Sequence, residues 1–312
     1  MGTHPGGPAH LDGGSPLSSV AGQLPYLLKL LAAAEPLSLQ THPDAATARA
    51  GFAREQAAGI SLVDDRRVYR DPFAKPELLC ALTSFDALCG FRPVGDTEAL
   101  LHRLGAAELS MSLRHDGLEA TIAGLYRGTL DAHAAVRACA AHHTPEAALV
   151  TRLDALYPGE PSVAVTLFLN RVQLQPGAAI YLGPGNLHAY LHGVGVEIMG
   201  ASDNVVRGGL TPKHVDVGEL LSVLRFDALR DPVVWALEEQ PGRWRYPTPD
   251  APFELWRFDV AAAMPHTAEG RELLLCTDGS AGPLHHGESA YLAPGESIVL
   301  LGPSTVFRVK ET

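Results

Sequence analysis

Positive charge is scarce in this chain, and lysine is the scarcest carrier of it. The 312 residues include 24 Lys and Arg against 35 Asp and Glu, a formal net charge of -11. Nucleic-acid binding needs a basic face that neutralises phosphates, so this composition argues against a nucleic-acid partner. A small anionic ligand remains open, because it needs only a few local cations. The four lysines are Lys29, Lys75, Lys213 and Lys310, and the first three lie in or near the motifs described below.

Paired cysteines and long apolar runs are also missing. None of the pairs among Cys80, Cys89, Cys139 and Cys276 has metal-finger spacing. We therefore expect four free thiols in a reducing compartment. The longest apolar stretch, residues 24–39, is interrupted by charge and proline and is too short to span a bilayer. Residues 1–15 lack a basic-then-apolar signal pattern. The sequence predicts a cytoplasmic protein with no membrane partner.

The residue pattern changes along the chain and divides it into three parts, of which the first two precede Pro161. Residues 24–34 form a short amphipathic segment, helix or strand, followed by a predicted strand over 37–42 and a helix over 44–58. Residues 93–157 are rich in helix-forming Ala, Leu, Glu and Arg with apolar residues three and four apart.

After Pro161 the pattern changes to that of β-structure. Residues 162–170, rich in Val, Thr, Leu and Phe, predict a strand, and short runs broken by Pro-Gly continue to the C-terminus, apart from a helical piece around 216–229. This spacing is typical of a sandwich or barrel. We expect a mainly β protein with a helical insertion.

An internal repeat supports this expectation. Residues 177–188 align without gaps with residues 287–298, and each copy combines a turn glycine, a strand, a Pro-Gly hairpin and a second strand. Two copies of one hairpin predict two barrels of the same kind. The first copy has His188 where the second has Ile298. Function is therefore expected in the first barrel.

Four residues are candidate metal ligands. Gln40 and His42 are two apart on a predicted strand, so both side chains point to one face. His188 follows a Pro-Gly turn, and Glu77 lies in a Lys-Pro-Glu element. Two imidazoles, a carboxylate and an amide oxygen suit Zn²⁺, and other divalent first-row metals as well. Each residue alone has an ordinary structural explanation, such as a helix start at Glu77. The prediction rests on the joint pattern.

Cations and a second carboxylate surround this pattern. Arg207 precedes two glycines, which allow close backbone approach to a ligand, and an Arg there can hold an oxyanion through two hydrogen bonds. Lys213 follows shortly after. Glu197 lies in an apolar strand, so it is either a solvent-facing strand residue or a poised acid or base.

Longer motifs resemble one known family. They lie within residues 24–93 and 161–229 and include Leu37-Ser-Leu-Gln-Thr-His-Pro-Asp44, Lys75-Pro-Glu77, Phe85-Asp-Ala-Leu-Cys-Gly-Phe-Arg92, Gly185-Asn-Leu-His-Ala-Tyr190 and Lys213-His-Val-Asp216. They strongly resemble type I mannose-6-phosphate isomerase, also called phosphomannose isomerase. The resemblance implies two cupin-type jelly-roll barrels with an α-helical insertion.

The implied domains are residues 1–95 and 158–232 as the two parts of a catalytic cupin domain, 96–157 as the helical insertion, and 233–312 as a C-terminal cupin-like domain without metal ligands. The resemblance also implies one Zn²⁺ per chain. The implied metal ligands are Gln40, His42, Glu77 and His188; the implied catalytic residues are Arg207, Glu197, Lys75 and Asp203; and the implied substrate-binding residues are Lys29, Ser38, Tyr190 and Lys213.

The implied activity interconverts mannose 6-phosphate and fructose 6-phosphate through an enediol or enediolate, as in GDP-mannose and glycan synthesis or mannose catabolism. The implied partner is a small sugar phosphate, and we expect a monomer or weak homo-oligomer. A non-catalytic sugar-phosphate-binding cupin derived from such an enzyme by truncation is the main alternative. A metal-dependent cupin oxygenase is a third, against which Gln40 and the cations argue.

Two departures from the family pattern bear on activity. The family has Asn-His before the Lys-Pro-Glu element, whereas this chain has Phe73 and Ala74, so a pocket histidine is missing. The opening Met-Gly-Thr-His-Pro is similar to the middle of an early family segment. We therefore expect the first several dozen residues of a typical member to be absent.

Overall fold

The computed structural model describes all residues, 1–312. The nine α-helices are α1 (Ser18–Ala21), α2 (Ala45–Ala57), α3 (Val94–Arg103), α4 (Ala107–His115), α5 (Gly117–Arg127), α6 (Ala132–Cys139), α7 (Pro145–Leu156), α8 (Pro161–Val165) and α9 (Val217–Val223). A 3₁₀ turn at Thr166–Phe168 follows α8. None of the helices combines the length and apolarity that crossing a membrane requires.

The strands divide at about residue 235 into two groups. The first group is β1 (Tyr26–Ala33), β2 (Leu39–Thr41), β3 (Glu77–Ala81), β4 (Phe85–Phe91), β5 (Leu169–Leu174), β6 (Ala179–Leu182), β7 (His188–Gly200), β8 (Val206–Gly209) and β9 (Val233–Val234). The second is β10 (Leu237–Gln240), β11 (Arg243–Tyr246), β12 (Phe253–Val260), β13 (Ala263–Thr267), β14 (Glu272–Gly279), β15 (Ser289–Leu292), β16 (Ser297–Leu301) and β17 (Ser304–Glu311). The mainly β class with a helical insertion is confirmed.

Strand β7 organises the first barrel. Its N-terminal half pairs with β4 and β2, and its C-terminal half pairs with β1 and β3, always antiparallel. The change of partners falls near Gly193, where φ is +129° and an added Cβ would lie 2.7 Å from the Phe85 ring. Glycine is therefore required at this bend. One continuous strand thus belongs to both faces of the barrel.

Both sheets of this barrel are covered on the outside. The sheet containing β1 and β3 packs Leu28, Leu78 and Ile198 against Phe253 and Phe307 of the second barrel. The sheet containing β2, β4 and β8 shares an apolar core with the helices of residues 94–165. All five residues of β3 are buried, as expected for a strand between two layers. The barrel interior holds a smaller apolar cluster that includes Leu79, Phe85 and Ile180, and the rest of the interior is left for polar side chains.

The second barrel consists of a six-stranded sheet and the two-stranded pair β13–β16. The repeat has matching structure in both barrels, because β6 and β7 flank the first Pro-Gly turn as β15 and β16 flank the second.

The expected helix over 44–58 is confirmed as α2, capped by the Asp44 side chain at Thr47 N. The segment 24–34, left open between helix and strand, is strand β1.

The strand predicted over residues 162–170 is wrong for most of its length. Residues 161–165 form α8 and 166–168 a 3₁₀ turn, so β5 begins only at Leu169. Pro161 occupies the first helical turn, where its missing N–H is harmless. Val163, Val165 and Phe168 are fully buried in the core shared with the other helices. Burial of the segment on all sides outweighs its β propensity.

Candidate metal centre

Three ligand-type side chains from three strands converge inside the first barrel. His42 follows β2, Glu77 begins β3 and His188 begins β7, and their ligand atoms all lie within 4.8 Å of one another. The Nε2 of His42 lies 3.3 Å from Glu77 Oε1, and the Nε2 of His188 lies 3.5 Å from Glu77 Oε2. All three residues are no more than 2% exposed.

Backbone carbonyls fix the orientation of both imidazoles. His42 Nδ1 lies 2.8 Å from the carbonyl oxygen of Asn204, and His188 Nδ1 lies 3.0 Å from that of Asn186. A carbonyl oxygen only accepts, so each Nδ1 carries the proton and each neutral ring leaves the Nε2 lone pair free. The carbonyls therefore select the tautomer that binds a metal.

The electrostatics of the cluster keep its ligands in the metal-binding forms. Burial lowers the pKa of His42 to about 4, although Glu77 opposes the shift. Burial by itself would raise the pKa of Glu77, but Lys75 and His42 outweigh it and hold that pKa well below its usual value. The ammonium of Lys75 lies 3.0 Å from Glu77 Oε1. A neutral imidazole and an ionised carboxylate are what a divalent cation requires.

Unsatisfied buried atoms indicate that the cluster fits a cation. His42 Nε2 and Glu77 Oε2 are buried and have no hydrogen-bond partner. Such orphaned groups are rare in folded proteins and are expensive unless an ion or a hydrogen bond compensates them. The amide nitrogen of Gln40 lies 3.5 Å from His188 Nε2, and rotation of the amide exchanges its nitrogen and oxygen. Gln40 is thus within reach as a fourth donor.

A cavity of about 300 Å³ opens beside the cluster. Most of its lining residues are polar or charged, and they are Lys29, Leu31, Leu37, Ser38, Gln40, Lys75, Glu77, His188, Tyr190 and Glu197. The structure therefore brings eight of the residues expected from the sequence into one pocket, with His42 behind it.

Glu197 is a second buried carboxyl group in the cavity, outside the cluster. Burial raises its pKa, and the neighbouring charge of Glu77 raises it further. The hydroxyl of Tyr190 donates a hydrogen bond of 3.0 Å to Glu197 Oε1, and Lys29 Nζ lies 3.7 Å from Oε2. The solvent-facing interpretation of this strand residue is wrong, since it is only 4% exposed, and its role as an acid or base stays a prediction.

Three expected site residues lie outside the cavity lining. Arg207 on β8 is paired in register with Gln40 and is half-buried, and burial and the nearby Arg70 lower its pKa. Asp203 is half-exposed, with its carboxylate 3.8 Å from His4 Nδ1. Lys213 is exposed in a turn. Their catalytic and binding roles stay predictions.

Contacts that the sequence did not reveal hold the Arg207 strand. Tyr126 of α5 donates a 2.6 Å hydrogen bond to the carbonyl of Gly208. Glu160 accepts a 2.8 Å bond from the N–H of Leu210, which is held at a φ of +51°. A non-glycine residue in that region is strained and persists only where its surroundings impose it.

The buried Asn204 is the second missed contributor. Its carbonyl orients His42, and its side chain bonds to the backbone of Arg70, Asp71 and Phe73 just before the Lys-Pro-Glu element. The sequence shows Asn204 directly after Asp203, one of the implied catalytic residues. Its partners are not apparent there, because they are more than 130 residues away.

We expect His188→Ala to lose bound zinc and His192→Ala to retain it. Both histidines lie on β7, but His188 is buried in the cluster whereas His192 is exposed. Zinc per chain, measured by atomic emission after dialysis of the loaded protein, checks this. Equal zinc content in the two variants would contradict the assignment of the cluster.

Comparisons with known proteins agree with this geometry. A family model described as phosphomannose isomerase type I, catalytic domain, matches residues 12–94. The mannose-6-phosphate isomerase of Escherichia coli is 33% identical over 307 residues, covering 93% of this chain and 77% of that protein. The enzyme of Salmonella typhimurium is 34% identical over 299 residues, covering 91% and 76%.

Solved structures extend the likeness to the whole chain. The mannose 6-phosphate isomerase of Salmonella typhimurium bound to fructose 6-phosphate and zinc has a TM-score of 0.84 at 28% identity and covers 100% of this chain and 90% of that one. A mannose 6-phosphate isomerase structure described as holo and zinc-bound also has a TM-score of 0.84 at 28% identity. The predicted cupin fold is confirmed, as is the predicted family. The chain belongs to the type I phosphomannose isomerase family.

Proposed function

We propose that this chain is a zinc-dependent isomerase that interconverts mannose 6-phosphate and fructose 6-phosphate. The observation that carries the proposal is the buried His42–Glu77–His188 cluster opening into a cavity that also contains a perturbed carboxyl group and two lysines. A solved relative binds fructose 6-phosphate and zinc. We extend the proposal to mannose supply for GDP-mannose and glycan synthesis or mannose catabolism, and to a cytoplasmic monomer or weak homo-oligomer.

His42, Glu77 and His188 would hold the metal, with Gln40 as the fourth ligand. When bound, Zn²⁺ supplies Lewis-acid polarisation of the substrate oxygens. The carbonyls of Asn204 and Asn186 keep both imidazoles in place for this task. Lys75, whose Nζ lies 3.0 Å from Glu77 Oε1, keeps Glu77 ionised.

Glu197 is the proposed base. The reaction removes a proton from C2 of the aldose and returns it to C1 of the enediol, so one carboxylate can perform both transfers on one face. The raised pKa of Glu197 strengthens it as a proton acceptor. Tyr190 fixes one of its oxygens, which leaves the other for the substrate. Neither Lys75, engaged by Glu77, nor the half-exposed Asp203 has these properties.

We assign the phosphate group of the substrate to the mouth of the cavity beside the metal cluster. Lys29 lines the cavity with a side chain that is 44% exposed, and Ser38 lies beside it. Both can bind an anion there, with Lys213 as a further cation from the exposed turn. Anchoring the end that does not react orients C1 and C2. Phe73 and Ala74 leave this chain without the family's histidine, so the transfer of the carbon-bound proton from C2 to C1 is given to Glu197 alone, while the proton lost from the C2 hydroxyl passes to the C1 oxygen.

We expect the full chain loaded with zinc to convert mannose 6-phosphate to fructose 6-phosphate, and a chelator to abolish turnover. A coupled assay for fructose 6-phosphate measures both. Readdition of zinc should restore the rate. A loaded chain that binds mannose 6-phosphate without turning it over would instead establish the non-catalytic sugar-phosphate-binding alternative.

Arg207→Ala should lower kcat by about 10²–10³, because a cation that stabilises developing negative charge is worth that much in an active site. Zinc content should be unchanged, since Arg207 is not part of the cluster. Arg230→Ala, which alters an exposed arginine, is the control. Full turnover in Arg207→Ala would remove the role that we propose.

Tyr126→Phe should lower kcat about tenfold with little change in KM or zinc content. The missing hydroxyl releases the carbonyl of Gly208, next to Arg207, while packing is retained. Tyr157→Phe is the matched control, because its hydroxyl contacts Pro36 instead. Steady-state kinetics measure both variants. Equal kcat values would contradict the proposed role of Tyr126 in holding the Arg207 strand.

A further inference from the structure

The second barrel contains a polar cavity of its own, of about 250 Å³. It lies between the two sheets, with β11, β12 and β17 on one side and β13 on the other. Ile298, the repeat counterpart of His188, is paired in register with His266. This barrel therefore lacks the repeated ligand but has an imidazole on the neighbouring strand.

A buried ion network forms the floor of the cavity. Glu272 is fully buried, its Oε2 lies 2.6 Å from His266 Nε2, and both oxygens accept from the guanidinium of Arg308. Burial by itself would raise the pKa of Glu272, but the bonds from His266 and Arg308 lower it to about 2. Glu272 is thus ionised, and Arg308 neutralises it.

Arg243 is the cation that this network leaves without a counter-charge. It makes no salt bridge; its Nη2 donates to the carbonyl of Pro265 at 2.7 Å and its Nη1 lies 3.3 Å from His266 Nδ1. Its guanidinium lies 4.6 Å over the ring of Phe258. Because Nδ1 of His266 accepts from Arg243 and Nε2 donates to Glu272, the imidazole is neutral and adds no charge.

The remaining carboxylate at the rim is already engaged. Glu269 accepts from Lys310 at 2.8 Å and from Arg308 at 3.2 Å, and its side chain is 68% exposed. The Nη1 of Arg308, in a residue only 4% exposed, makes no hydrogen bond to the protein. Two guanidinium groups therefore border the cavity with unused donors, and one of them lacks a counter-charge. A partly desolvated, unpaired cation is unfavourable unless an anion joins it.

We propose that this cavity binds a small oxyanion of the phosphate or phosphomonoester class between Arg243 and Arg308. Guanidinium groups present paired donors that match phosphate oxygens. At about 250 Å³ the cavity is smaller than the roughly 300–1,000 Å³ of sites for drug-sized ligands, which favours a small anion. The proposal does not depend on the isomerase function, because it uses no residue of the metal centre.

The tryptophans allow the site to be observed separately. All three, Trp235, Trp244 and Trp256, lie in the C-terminal part of the chain, and Trp256 lines the cavity. Trp235 is exposed and follows strand β9 of the first barrel, so it is replaced by Phe in the parent and in every variant. Tryptophan fluorescence of the zinc-loaded full chain then reports on the second barrel, even if phosphate also enters the metal pocket. We expect a saturable change on titration with inorganic phosphate.

The decisive variant is Arg243→Gln, with Arg245→Gln as its matched control. Both changes remove one positive charge from β11, but Arg245 is paired with Glu239, 2.6 Å away. Loss of charge-assisted hydrogen bonds should weaken phosphate binding about tenfold or more in Arg243→Gln and leave Arg245→Gln like the parent. Arg243→Lys, which keeps the charge, should lie between them. Isomerase kcat should be unchanged in all three.

Two titrations distinguish the source of the anion. Tighter binding of mannose 6-phosphate than of inorganic phosphate would identify a sugar phosphate, whereas equal binding would identify free phosphate, and either supports the site. A fluorescence change that does not saturate, or equal affinities in Arg243→Gln and Arg245→Gln, would overturn the proposal. Arg308 is left unaltered because its removal would strand the buried charge of Glu272.

Discussion

The site depends on the antiparallel ladder around β7. This 13-residue strand hydrogen-bonds to β1, β2, β3 and β4, and its bend at Gly193 carries it from one sheet to the other. Because side chains alternate along a strand, His188 and Tyr190 face the interior from one half and Glu197 from the other. A shift of one residue in register would turn all of them outward. The ladder is thus what brings metal ligands and the proposed base into one cavity.

The two layers packed outside the barrel bury apolar surface, and this offsets the free-energy cost of polar side chains in the interior. One sheet packs on the second barrel and the other on the helices, so the two largest apolar cores lie behind the strands. A smaller apolar cluster fills part of the interior, and the rest can be polar. Burial of His42, Glu77 or Lys75 without a partner is unfavourable in free energy. The pairing among the three residues offsets only part of that desolvation cost. The orphaned atoms that remain are the signature of a site that fits a cation.

The two barrels illustrate how one hairpin can lead to different chemistry. In the first, His188 joins ligands from β2 and β3; in the second, Ile298 occupies the equivalent position and a network of His266, Glu272 and Arg308 fills the interior. The first arrangement leaves lone pairs facing a common point. In the second, the carboxylate of Glu272 is paired within the network, and guanidinium donors remain free. A cation suits the former and an anion the latter.

The sequence by itself determined the local features: the helix over 45–57, the helical block, the duplicated hairpin and the family motifs, because caps, periodicity and Pro-Gly turns act over a few residues. It also named the residues of the metal cluster. Residues 162–168 were predicted incorrectly as strand because burial on every side decided their conformation. Only the tertiary structure decided which carbonyls orient the imidazoles, that Glu197 is buried beside Tyr190, and that Tyr126 and Glu160 hold the Arg207 strand. Most of these are contacts between distant segments, and such contacts leave no spacing in the chain from which they could be inferred.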